Sequence, residues 1–301
     1  MARRHPILRG LLRWLVLAPI AVAVVALVVA KLAGVDTGPS WTLGKSLGVV
    51  EVRGVINNDL TDVLEALDGF RRNDHIVGIV VRIDSPGGAV TPAQEVYDAI
   101  WRVRRETTKP VVASLGNVAA SAGYYIASAA NVIVSDPGTL TGSIGALMEI
   151  PQLGPLADKL GVGQEIIKSG PLKAAGNPLR PLTDEERALL QGIVDDTLQQ
   201  FIEAVASGRG LEVDQIRALA DGRTFSGKQA LAVGLVDKLG GFEVATREAW
   251  ERAKQTGEPK IQRVKAGRRP WWLDVLGKAM TTDTLPASGG LFFIYPGPTL
   301  Q

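Results

Sequence analysis

The sequence predicts an α/β fold with a largely parallel sheet and surrounding helices, preceded by one transmembrane helix. Three observations carry this. Apolar, β-rich runs alternate with amphipathic helical patterns from residue 47 onward. Three of those runs, ending at Ile83, Leu115 and Ser135, lead into a polar, glycine-bearing turn and then a new element. Near the N-terminus, Trp14–Ala30 is 17 residues long without a charge, and a bilayer-spanning helix needs about 17–25.

Taken in order, residues 1–13 form an arginine-bearing arm and 14–33 the membrane anchor. Arginines ahead of the apolar run predict a cytoplasmic N-terminus, a single pass through the cell (inner) membrane and a body outside the cytoplasm. A cleaved signal peptide is the competing reading, but its apolar region is usually about 7–15 residues. Residues 34–46, GVDTGPSWTLGKS, read as a polar linker. Leu47–Ile56 reads as a strand, Asp59–Arg72 as a helix and Ile76–Ile83 as a strand. Pro92–Thr107 reads as a helix with proline in its first turn. Strands follow at Val111–Leu115 and Asn131–Ser135, with a helix, Ser121–Ala130, between them. Gln164–Lys168 is expected to be a strand. Thr183–Ser207 is a long helix opened by TDEE, a cap plus an acidic first turn. Arg223–Gly241 reads as a short helix and a turn. The turns DSPGG, GNVAAS and DPGTLTGSIG should emerge on one sheet edge, the carboxyl edge where open α/β sheets place their sites.

Composition excludes several chemistries. There is no cysteine, so disulfides, thiolate metal sites and a cysteine nucleophile are absent. The net charge of +2 is local: Arg3, Arg4, Arg9, Arg13 and Lys31 precede any acid, and removing those five of 33 leaves 28 basic against 31 acidic residues. A mildly acidic body carries no footprint for nucleic acid. LGKS (Leu43–Ser46) is no phosphate loop, because Pro39 stands where the first glycine must be. No H-E-x-x-H occurs, so zinc peptidase chemistry has no support, and no cofactor or metal is expected.

The chemistry-bearing stretch is NVAASAGYY, Asn117–Tyr125, where Ser121 sits among alanine and glycine between a strand and a helix. Such a serine is either a helix cap or a displayed nucleophile. The α/β-hydrolase order of serine, acid, histidine is impossible, because both histidines, His5 and His75, precede Ser121. A desolvated lysine can serve as base instead; the candidates after Ser121 are Lys159, Lys168 and Lys173, and spacing alone does not choose between Lys168 and Lys173. An oxyanion hole needs two backbone N–H groups. The DSPGG turn, Asp84–Gly88, can offer one, and the N–H of Ala122 is the natural second.

Together, VRIDSPGGAV, NVAASAGYYIASAA, TLTGSIGAL and IIKSGPLKAAGNPLRPLT, behind a single anchor, resemble the single-anchor bacterial signal peptide peptidase family, the SppA-type serine peptidases. The match runs over about residues 47–256 in the family's order. The resemblance implies a Clp protease/crotonase-like fold, with Ser121 as nucleophile, Lys173 as general base, and Ser143 of TGSIG as the hydroxyl that orients the lysine amine. It also implies an oxyanion hole from the N–H groups of Gly88 and Ala122, homo-oligomers whose sites face an enclosed space, and remnant signal peptides as substrates. Ser169 is an alternative partner for the lysine. One departure is visible: the family usually reads Ser-Gly-Gly where this chain has Ser121-Ala122-Gly123. Alanine still supplies the N–H, without strain so long as its φ is negative.

On this reading residues 47–257 form the peptidase domain and 258–301 a tail of unassigned role. An extended apolar peptide substrate would add a strand beside Gly87–Val90, with Ala119 and Ala120 leaving room for its side chains. Asp84 reads as a structural turn residue, and Tyr124 and Tyr125 as packing. Trp271 and Trp272 mark either a helix packed on its own domain or a partner or membrane contact. Two other classes stand beside the peptidase: an inactive scaffold or peptide-binding member of the fold, and crotonase-like acyl-CoA chemistry, which fits poorly with an extracytoplasmic body.

Overall fold

Valine and isoleucine dominate the runs that become the central strands, and their branched side chains suit a pleated sheet covered on both faces. The computed structural model describes residues 44–57, 59–263 and 292–294. The expected arm, anchor and most of the linker fall outside these residues, as do Trp271 and Trp272. Among the described residues no helix is long and apolar enough to cross a membrane.

Strands β1 (Ser46–Arg53), β2 (Ile76–Ser85) and β4 (Val111–Ala120) run parallel at the centre of an eight-stranded sheet. Beyond β4 lie β5 (Val132–Ser135), which pairs with its first half, and β6 (Leu140–Gly142), which pairs with its last three residues. The antiparallel β7 (Thr224–Ser226) borders β6. Strand β8 (Lys238–Leu239) extends β5, and β9 (Ile261–Arg263) pairs with β1 on the far side. Apart from this sheet, β3 (Gly87–Ala89) pairs antiparallel with β10 (Phe292–Ile294).

The pleat sends alternate residues to two cores. Leu47, Val49, Val80, Val112, Val132 and Val134 face helix α8 (Phe242–Arg252) through Ala245, Ala249 and Trp250. The opposite face carries Val81, Ile83, Ala113, Leu115 and Ile133. Over it pack α1 (Thr61–Arg72), α2 (Val90–Glu106), α3 (Ala122–Ser128) and α5 (Asp184–Arg209). Three of these helices meet in an aromatic chain: Tyr97 to Tyr125 at 5.0 Å between ring centroids and Tyr125 to Phe201 at 5.1 Å. Helix α5 opens as expected: Thr183 accepts from the Glu186 N–H, and the Glu186 carboxylate accepts from the Thr183 N–H.

Three expectations are corrected. GNVAAS is no turn: β4 runs unbroken to Ala120, because Val118–Ala120 find partners in β6 and Ala119 pairs with Ser85. Gln164–Lys168 is not a strand. It lies outside every element, between α4 (Gly154–Leu160) and a 3-10 turn (Pro171–Ala174). No sheet edge is offered to it, and Ile167 is 95% exposed; an unpartnered run of two isoleucines has no ladder to join. Arg223–Gly241 holds a helix, α7 (Gly227–Ala232), but two short strands flank it and finish the sheet.

Candidate active site

Parallel strands β1, β2, β4 and β5 all end on one edge, and Ser121 stands there at the end of β4. Its backbone has φ 54° and ψ −120°. An L-residue with a Cβ rarely adopts such a conformation, at a cost of about 1–3 kcal/mol, and it persists only when the surroundings impose it. Here they do. The Ser121 N–H donates to the Gly142 carbonyl at 2.8 Å, and the Ser121 carbonyl accepts from Tyr125 at 2.8 Å in the first turn of α3. The hydroxyl caps nothing. Ser121 is therefore a strained strand-to-helix elbow of the kind that displays a nucleophile, and the helix-cap alternative fails on geometry.

The left-handed residue is Ser121, not Ala122, which opens α3 with ordinary helical backbone. Alanine in the place of glycine is therefore unstrained. As the first residue of the helix its N–H has no intrahelical acceptor, so it remains available to a ligand. The next residue, Gly123, allows a close approach: a Cβ there would sit 3.0 Å from the Ser85 carbonyl oxygen. That draws the start of α3 against the turn between β2 and β3.

Within that turn the Gly87 N–H donates to the Ser85 hydroxyl at 3.1 Å. Gly88 has φ 151°, and a Cβ on it would lie 1.9 Å from the Ile56 carbonyl oxygen, so only glycine fits. Ile56 donates to the Gly87 carbonyl and accepts from the Ala89 N–H, both at 2.8 Å. By strand alternation the N–H and C=O of Gly88 face the other edge of β3, the one that β10 pairs with. Asp84 is structural, as expected: its carboxylate accepts from the Val118 N–H at 3.2 Å and ties β2 to β4.

Ser143 follows β6 and is buried, with φ 51°. Since Ala120 pairs with Gly142, Ser121 and Ser143 leave adjacent strand ends side by side, roughly 5 Å apart at strand spacing. Tyr124 is fully buried and donates to the Leu235 carbonyl at 2.8 Å; burial raises its phenol well above the ordinary value, and burial pushes that of Tyr125 up to about 12. Both are packing. Ala119 and Ala120 are buried in the sheet, so they line no open substrate surface as expected of them. His75 is exposed at the opening of β2, the far edge from Ser121.

The structure gathers Ser121, Ala122, Ser143 and Gly88 at one edge but does not join Lys173 to them. Lys173 lies on the exposed 3-10 turn, and among the described residues no hydrogen bond or ion pair holds its amine. The neighbouring candidate is occupied: Lys168 Nζ donates to the Pro171 carbonyl at 2.7 Å. Ser169 is exposed in the same loop. What holds this segment is a clamp the sequence reading missed. Arg180 donates to Ala174 O at 3.0 Å and to the Glu186 carboxylate at 2.8 Å. The Glu186 side chain is 2% exposed, and the Arg180 guanidinium, with the Thr183 N–H, lowers its carboxyl to about 2. Among the described residues no His, Cys, Asp and Glu cluster could hold a metal ion.

Known proteins are similar to this chain in sequence. The profile of peptidase family S49 matches residues 103–256, a span that contains Ser121, Ser143 and Lys173, and that of Clp protease matches residues 47–134. A putative protease of Synechocystis sp. is 42% identical over 206 residues, 68% of this chain and 73% of that protein. A putative signal peptide peptidase SppA of Enterococcus faecium is 31% identical, over 66% of this chain and 58% of its own. The chloroplastic serine protease SPPA of Arabidopsis thaliana is 36% identical, over 68% of this chain but only 30% of its own length. With half its length inside one family profile and a relative matched along most of both chains, this chain belongs to peptidase family S49, the SppA-like serine peptidases of the Clp protease/crotonase fold.

Proposed function

We propose that this chain is a membrane-anchored endopeptidase that degrades remnant signal peptides and other apolar peptides outside the cytoplasm, through a dyad of Ser121 and Lys173. The carrying observation is the elbow: a strained serine whose hydroxyl caps nothing, beside an unused helix N-terminal N–H.

On this reading the reaction is an acyl transfer through Ser121. An extended peptide takes the edge of β3 that β10 occupies in this structure and accepts from the Gly88 N–H. Lys173, uncharged, takes the proton of the Ser121 hydroxyl as Oγ attacks the carbonyl carbon. The negative oxygen of the tetrahedral intermediate is held by the N–H groups of Gly88 and Ala122. The ammonium of Lys173 gives its proton to the departing amine. The same amine then activates the water that releases the acyl group from Ser121. Ser143, next to Ser121 at the strand ends, orients the lysine amine by its hydroxyl.

A lysine acts as base when it is shielded from water, and in the single chain Lys173 is exposed. We infer that assembly supplies the shielding. Leu153, Leu156, Leu160, Val162 and Ile167 are exposed on the α4 region before the Lys173 turn, and contiguous exposed apolar side chains mark an interaction surface. A homo-oligomer covering this face would enclose the site. The anchor rests on the uncharged Trp14–Ala30 run and the arginines before it. The substrate class is favoured by the printed name of the Enterococcus relative, a signal peptide peptidase.

The test is cleavage of a synthetic apolar signal peptide by the detergent-solubilised full chain. Turnover that is lost in Ser121→Ala and in Lys173→Ala, with unchanged thermal unfolding, supports the proposal. Turnover retained in Ser121→Ala ends it; no turnover in the unaltered chain leaves the scaffold reading.

A further inference from the structure

Antiparallel strands exchange hydrogen bonds in pairs, and the pair at Ser143 is only half made. Strands β6 and β7 keep register from Leu140 opposite Ser226 to Gly142 opposite Thr224, which brings Ser143 opposite Arg223. The Ser143 N–H donates to the Arg223 carbonyl at 2.9 Å. In a regular ladder the Arg223 N–H would donate back to the Ser143 carbonyl. It donates instead to Asp221 Oδ1 at 3.0 Å, the local turn that an aspartate forms with the backbone two residues on. The next bond is out of register: the Gly222 N–H donates to the Ile144 carbonyl at 3.0 Å. Both chains bend to allow this, with φ 51° at Ser143 and φ 86° at Gly222. They stay close beyond it, since a Cβ on Gly145 would lie 3.3 Å from Gly222 Cα. A ladder that loses register at one residue has the character of a β-bulge, a device that re-aims a side chain and is frequent beside active sites.

We propose that Asp221 and Arg223 are positioning residues of the active site: the clip between them breaks the ladder at Ser143 and so aims the Ser143 hydroxyl. The proposal rests on the reading of Ser143 as the group that orients the Lys173 amine. The clip is pinned twice. Besides the Arg223 N–H, the Asp221 carboxylate accepts from Arg223 Nε at 2.8 Å and from Nη2. The Arg223 guanidinium, with the N–H of the same residue, lowers the Asp221 carboxyl to about 2, so the clip stays ionised wherever an uncharged lysine can act. Both side chains are half exposed, 50% for Asp221 and 58% for Arg223, and an exposed ion pair adds little to stability. The clip is therefore poorly placed to hold the fold together and well placed to fix one turn against Ser143. Its loss should be read in the chemistry rather than in unfolding.

Two substitutions at one position test this. Asp221→Ala removes the acceptor and the charge; Asp221→Asn keeps an oxygen for the Arg223 N–H and loses the charge alone. In the full chain, Asp221→Ala should lower kcat for a short apolar peptide about ten- to a hundredfold, the scale of a reacting group misplaced by about an ångström, at unchanged KM and with an unfolding temperature close to that of the unaltered chain. Asp221→Asn should recover kcat to within about threefold, because the turn keeps its backbone acceptor. Hydrogen exchange at the Ser143 amide is followed in the same chains carrying Ser121→Ala, where no turnover intervenes. We expect slow exchange that becomes at least about tenfold faster with Asp221→Ala and returns toward the slow rate with Asp221→Asn. An unchanged kcat in Asp221→Ala overturns the proposal, and so does equal Ser143 exchange in all three chains. A large fall in unfolding temperature in Asp221→Ala overturns it too, since the clip would then be a support of the fold. If the Ser121 chemistry itself is wrong, no chain cleaves the peptide, yet the difference in Ser143 exchange persists.

Discussion

The proposed nucleophile and its proposed base live in opposite surroundings. Ser121 is 1% exposed, at the end of a central strand, fixed by main-chain bonds before and after it. Lys173 sits on an exposed turn between segments without regular structure, held at a distance by one buried ion pair. The difference teaches where each half of the chemistry is paid for in structure. The strain is stored in the sheet edge, while on the proposed reading the base side is completed by assembly and substrate.

The largest expected effect separates the two lysines of the loop. Lys173→Ala should lower kcat/KM by roughly 10⁴-fold, the scale of losing a base from a catalytic dyad, whereas Lys168→Ala should leave it within about tenfold. Equal losses in single-turnover assays would break the comparison. Next comes the support beneath the elbow. Phe201→Ala, at the end of the aromatic chain that joins α2, α3 and α5, should destabilise the domain by roughly 3–5 kcal/mol in urea unfolding; a loss below about 1 kcal/mol would show that α3 is held otherwise.

On the base side, Glu186→Gln should cost about ten- to a hundredfold in kcat, the size expected when a reacting group is misplaced by about an ångström, and should lower the unfolding temperature at neutral pH, where the ion pair with Arg180 is lost. Its sign with pH follows from the lowered carboxyl. The Glu186 group titrates near 2 when folded against an ordinary 4.5. Its contribution is therefore fully present above about pH 4.5 and is lost as pH falls toward 2. Thermal unfolding followed from pH 6 to 2.5 should lose more stability in the wild-type chain than in Glu186→Gln. The smallest effect sharpens the strained side: Ser121→Gly should stabilise the fold by about 1 kcal/mol while abolishing activity, since glycine tolerates φ 54°.

Much of the sheet was legible because burial on both faces leaves unmistakable valine and isoleucine runs, and TDEE named the start of α5 by a local rule. The rest depended on partners distant in sequence. Nothing in GNVAAS announces that Val118–Ala120 will find β6, and nothing in QEIIK reveals that no edge awaits it. The positive φ of Ser121 was hidden behind the more visible question of Ala122. The Arg180–Glu186 clamp escaped because Glu186 already had a reading as a cap, and a loop arginine six residues earlier follows no periodic rule. The pairing of 292–294 with β3 spans some 200 residues of sequence, beyond any local pattern.

The central claim, that Lys173 draws the proton from Ser121, is tested most directly by the acylation rate of the assembled full chain with a serine-directed probe between pH 6 and 10. The account predicts labelling confined to Ser121 and a rate that rises with pH along one ionisation. In Lys173→Ala it predicts a rate at least about a thousandfold lower, with that ionisation gone. An unchanged rate and pH profile in Lys173→Ala would contradict it.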